Sequence, residues 1–187
     1  EINDVEKINI NPPLAFPKKV EEVSNILSKA KNPVLVVGGQ IHSSSRAREL
    51  VKIVAEKHNL PVLCTYEHQD IISHNNNHYA GELGLRPPEP IRKNALEADV
   101  VLVVGHRFNG VPNMAYKFPS PKQTFIHVIP DANSVGKIFR TDHGIVADGE
   151  DFLYQLSLIE NKENDAERMS WVNLCHERYL NNEATKA

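Results

Sequence analysis

Cysteine is scarce in this sequence: Cys64 and Cys175 are the only two, far apart and in no CxxC spacing. A zinc site built from paired cysteines is therefore excluded, and reduced thiols are expected. Long apolar runs are missing too, and nothing approaches the ~20 residues that span a bilayer. Nor is there a block of like charge. The 21 basic and 24 acidic residues leave a net charge of −3, so neither a phosphate-backbone binder nor a membrane-surface patch is expected. The expectation is a cytoplasmic protein with no nucleic-acid or membrane partner. Internal repeats are limited to two similar strand–glycine turns, and low complexity to Asn75-Asn76-Asn77.

The 187 residues, 41% of them hydrophobic, suit one globular domain with a short extension at either end. The chain opens on Glu1, and "EINDVEKININPPLAFPKK" carries three prolines and no clear period. It reads as a linker or wrapping strap, and the expectation is a piece of a longer protein.

Residues 20–30 place Val20, Val23, Ile26 and Leu27 at helical spacing, with Pro33 beyond the end. The run 34–37 is continuously apolar, as a strand buried on both faces of a parallel sheet must be. A helix at 45–58, a strand at 60–64, a short helix at 91–98 and strands at 99–105, 124–129 and 144–148 follow. Helices at 151–159 and around Met169, Trp171, Val172, Leu174, Cys175 and Tyr179 close the chain. Residues 65–90 read as irregular loop. This alternation predicts an α/β fold: an open, doubly wound, mostly parallel sheet with helices on both faces, Rossmann-like. Ligands of such sheets sit in the crevice outside the carboxyl ends of the strands.

Gly38-Gly39, ending the first strand, removes side chains where a phosphate could meet backbone N–H groups. The same pair also serves as plain tight-turn chemistry. The third glycine of a dinucleotide fingerprint is absent, no lysine stands in P-loop register, and no acid ends the second strand. A conventional NAD dehydrogenase is not expected. In "VVGHRFNG", Arg107 emerges beyond a strand, placed to clamp a phosphate or to form a buried salt bridge. His127 lies inside a strand, where a satisfied core histidine is the usual outcome. His74 and His78 have the spacing of a helical metal pair, but three asparagines separate them and no third ligand follows. Glu67, His68, Asp70 and His74 form a cluster dense enough in ionisable groups to line a pocket or interface, though solvated loop is the usual outcome for such a stretch. "ADGED", with Asn181-Asn182 far downstream, mimics a magnesium–diphosphate motif, but Ala147 replaces its first glycine and the spacing is too long.

As a set, "NPVLVVGGQ", "ELVKIVAEKHNLPVLCT", "YAGELGL", "ADVVLVVGHRFN", "IHVIPDANSVGK" and "IVADGEDFL" resemble the central domain of thiamine-diphosphate-dependent enzymes, closest to the acetolactate synthase-like branch. The resemblance covers residues 17–159, in order and with short gaps. It implies residues 1–16 as a linker from a missing N-terminal pyrimidine-binding domain. It implies 17–160 as the central domain, and 161–187 as a helical connector toward a missing diphosphate-binding domain. It implies a parent transferase or lyase that decarboxylates a 2-keto acid and passes the carbanion to an acceptor, with thiamine diphosphate and magnesium held by the other domains. The parent would be a homo-oligomer, dimer or tetramer, and this fragment inactive alone. The family's nucleotide, FAD, ADP or a coenzyme A thioester, would face Gly38, Gly39, Gly81, Gly84 and Arg107. Two departures stand against it: Ile129 where the family has an acid, with Asp131 arriving later, and Gln69-Asp70 in place of Lys-Gly. The alternatives are a stand-alone nucleotide-binding module and a ligand-free scaffold. A sirtuin-type deacylase would need the missing CxxC pairs.

Overall fold

A computed structural model describes residues 11–160 and 165–184. Its strands are β1 (Pro33–Val37), β2 (Val62–Thr65), β3 (Tyr79–Leu83), β4 (Val100–Val104), β5 (Thr124–Ile129) and β6 (His143–Val146). They form one sheet in the order β3-β2-β1-β4-β5-β6, and every pairing is parallel. The helices are α1 (Pro17–Lys29), α2 (Gly39–His42), α3 (Ser45–His58), α4 (Glu89–Leu96), α5 (Gly149–Ser157) and α6 (Asp165–Ala184). The doubly wound reading holds.

Strand side chains alternate between the two faces, and the core divides accordingly. Leu35 and Val37 of β1 join Val20, Leu27, Val51, Val54, Phe152 and Leu156 of α1, α3 and α5. Val34 and Val36 join Ile91, Ala95, Trp171 and Cys175 of α4 and α6. Burial on both faces explains why β1 and β4 carry unbroken valine and leucine.

Several boundaries differ from the sequence reading, each for a local reason. β3 occupies a stretch read as loop. It contains Gly81 at φ +111°, where a Cβ would lie 2.6 Å from Ile91 Cδ1, and its pairing with β2 shifts register between Val62 and Cys64. Both features break the period that marks a strand. α1 and α4 start earlier than expected, because proline suits the first helical turn. α5 starts at Gly149 because Asp148 caps it, accepting from the N–H groups of Glu150 and Asp151 at 2.9 and 3.2 Å.

Both flanks pack on the domain. Ala15 is buried; its N–H donates to Asp151 and its carbonyl accepts from Gln155 on α5. Trp171 of α6 is 5% exposed and its indole N–H donates to the Pro33 carbonyl at 2.9 Å. Residues 1–10, 161–164 and 185–187 of the expected linker and connector lie outside the described residues.

Candidate functional site

In the order 3-2-1-4-5-6, the chain leaves β1 and β4 toward opposite sides of the sheet, and a crevice opens between their carboxyl ends. There the structure has a cleft of about 390 Å³ lined by Gly39, Gln40, His68, Gly105, His106, Arg107, Asn109, Ile129, Pro130 and Asp131. The turn after β1 and the turn after β4 build it together: the Gln40 N–H donates to the Gly105 carbonyl at 3.1 Å. The Gln40 amide is held in turn by the α5 cap, donating to Asp148 at 2.7 Å.

The five positions nominated for a nucleotide do not all meet here. Gly39 and Arg107 line this cleft. Gly81 and Gly84 line a separate cleft of about 370 Å³ beside edge strand β3, with Tyr79 and Tyr179. Gly38 is buried beneath the His106 ring: a Cβ there would come 2.6 Å from His106 Cβ and Cδ2. Arg107 is exposed at the cleft mouth. Among the described residues it forms no ion pair, so the buried salt bridge weighed from the sequence is not its environment.

Asp131 returns an acid to the cleft despite Ile129. It caps a 3-10 turn, accepting from the Ser134 hydroxyl at 2.6 Å and the Asn133 N–H at 3.0 Å. Those bonds, with Arg107 nearby, hold its carboxyl below the ordinary range. His127 is buried in β5, with Nε2 2.8 Å from the His106 carbonyl. His74 stacks on Tyr79 and bonds the Gln69 carbonyl, whereas His78 is buried against the Leu60 carbonyl. Among the described residues no group of three or more His, Cys, Asp or Glu could hold a metal ion. Asp70 pairs with His42 at 2.9 Å.

His106 is a cleft residue that sequence reading passes over; its one signal is its place between the strand-end glycine and Arg107. Its Nδ1 accepts the Phe108 N–H at 2.8 Å. Burial, then the charges of His68 and His127, push its pKa down to about 4. Burial also lowers His58, His78 and His127. An unfolded imidazole protonates near 6.5, so between about 6.5 and about 4 the unfolded state binds more protons than the native state. Stability should fall as pH drops through that window. Melting temperatures measured from pH 7 to pH 4 check this, and His106→Asn should flatten the slope.

The sequence profile described as "Thiamine pyrophosphate enzyme, central domain" matches residues 20–156. A probable acetolactate synthase large subunit of Methanococcus aeolicus is 29% identical over 178 residues, covering 90% of this chain and 30% of that protein. An acetolactate synthase large subunit of Buchnera aphidicola is 30% identical, covering 78% and 25%. A probable sulfoacetaldehyde acetyltransferase of Rhizobium meliloti is 26% identical, covering 91% and 29%. The chain thus spans less than a third of the length of these curated relatives.

Proposed function

This chain belongs to the family of thiamine pyrophosphate enzyme central domains, and from that premise we propose that it is the middle domain of an acetolactate synthase-like enzyme. In this reading the parent decarboxylates a 2-keto acid and joins the product to an acceptor. It is cytoplasmic and homo-oligomeric. The strap before α1 leads from a pyrimidine-binding domain, and α6 leads toward a diphosphate-binding domain.

Among the described residues, no group of three or more His, Cys, Asp or Glu could hold a magnesium ion beside a diphosphate. Asp148, the one acid of the "ADGED" stretch in a suggestive register, is occupied as a helix cap and by Gln40. No step of thiamine chemistry is assigned to this domain, and those groups would be held by the other domains.

The contribution proposed for this chain is an adenine-nucleotide site in the cleft outside β1 and β4. Arg107 carries the reading: an exposed guanidinium at the mouth of a switch-point cleft that forms no ion pair among the described residues, the cleft's acid, Asp131, being engaged by the Ser134 hydroxyl and the Asn133 N–H. A charge-assisted contact of that kind contributes roughly 1.5–3 kcal/mol. Arg107→Ala should therefore weaken ADP binding by at least about tenfold while leaving the melting temperature in place. Calorimetric titration with ADP tests both arms. Absence of binding by the unaltered chain would leave the domain a scaffold.

A further inference from the structure

We propose that this cleft accepts a nucleotide that ends at its own phosphates and rejects one whose pyrophosphate is bridged at both ends, with His106 setting the limit. The inference rests on the nucleotide reading above.

In a strand–turn–helix dinucleotide site, the missing glycine side chain lets an internal pyrophosphate lie against the turn, under backbone N–H groups. Here that space is already filled by the protein. The His106 ring covers Gly38, its Cδ2 standing 2.6 Å from where a Cβ would be. The His68 ring covers Gly39, with Nε2 at 2.9 Å from the corresponding point. The Gln40 N–H, which would otherwise face a phosphate, is spent on the Gly105 carbonyl. The glycines make room for two imidazoles.

His106 is fixed in that position. Its Nδ1 accepts from the Phe108 N–H, and its carbonyl meets the Nε2 of buried His127. With Nδ1 accepting, the ring proton sits on Nε2, so the imidazole is neutral. What remains for a phosphate is the outer cleft, with Arg107, Asn109 and the Pro130-Asp131 edge. A terminal phosphate needs one protein face and is satisfied by water on the other. A pyrophosphate joined to a further group on both ends must pass along the turn, and the rings bar that path. The cleft volume of about 390 Å³ also lies at the small end of the roughly 300–1,000 Å³ typical of ligand pockets.

The test is titration of the unaltered chain and of His106→Ala with ADP, FAD and coenzyme A. The unaltered chain should bind ADP at least about tenfold more tightly than FAD or coenzyme A, and His106→Ala should bring the three within about threefold. FAD binding as tightly as ADP, or a ratio unmoved by His106→Ala, overturns the inference and leaves the nucleotide reading standing. Failure of ADP itself to bind overturns the nucleotide reading, and the inference falls with it. If His106→Ala loses its melting transition, His68→Ala serves instead. It uncovers Gly39 alone and should narrow the ratio in part; an unchanged ratio counts against the inference.

Discussion

Replacing Arg168 with leucine is expected to destabilise the chain by about 3 kcal/mol, a fall of roughly 6–12 °C in melting temperature for a domain of this size. Arg168 projects from α6 and is only 4% exposed. Its guanidinium donates to the carbonyls of Leu27 and Ala30 at 2.7 and 2.5 Å, and to that of His58 at 3.4 Å. These carbonyls end α1 and α3, where the last turn of a helix has no intrahelical donor and carries the negative end of its dipole. One planar guanidinium thus closes two helix ends. Leucine fills part of the volume but takes this donor from the Ala30 and His58 carbonyls and leaves that of Leu27 only the 3.3 Å bond from the Ala30 N–H, at about 1–3 kcal/mol for each carbonyl left unpaired, less what water recovers. Lysine carries the charge without the fork, so Arg168→Lys should recover only part of the loss. Circular dichroism melts decide it. If the leucine variant melts within a degree or two of the unaltered chain, the bonds of Arg168 to the two helix ends add nothing to stability, and α6 is held by its remaining contacts, Trp171 and Cys175 in the core among them.

Much of the sheet is legible in the sequence because buried parallel strands leave a plain mark. Val34 to Val37 and Val100 to Val104 are unbroken apolar runs, buried along their length, and their shortness, valine content and bounding glycines mark them as strands and not as segments of a buried helix. β3 is not legible. A strand that carries Gly81 at positive φ and a register shift shows neither alternation nor an apolar run. The packing of α6 is also obscure: Trp171, Val172 and Cys175 are buried while Leu174, among them, is 40% exposed. Its apolar residues alone do not say which face docks.

The site divides in the same way. Arg107 is legible from its position beyond a strand, and the family from the ordered set of short stretches. The purpose of Gly38-Gly39 is not. A glycine announces that something comes close, and only the fold reveals that the visitor at Gly38 is His106, 68 residues downstream. The role of Gly81 and Gly84 is hidden for a related reason. Their distance from the switch point depends on β3 standing at the sheet edge, two strands from β1.

Gly38→Ala should therefore act on stability first, costing about 2 kcal/mol, within the range of an overpacked core. Gly38 has φ −142° and ψ −159°, extended backbone that alanine adopts without strain. Any cost must come from what the new methyl meets, and it meets His106 Cβ, Cγ and Cδ2 at 2.6–2.8 Å. Backbone pairing on both sides limits the retreat of either partner: β1 and β4 are in register from Pro33 with Val100 to Val37 with Val104. His106→Gly removes all three atoms, so Gly38→Ala made in that background should be close to neutral, helped by the lower unfolded-state entropy of alanine. A double-mutant cycle on melting free energies should return a coupling of about 1–2 kcal/mol. Additive costs would mean that the turn itself rejects the methyl. Gly38 would then be kept for its backbone, and the argument that it makes room for an imidazole would fail.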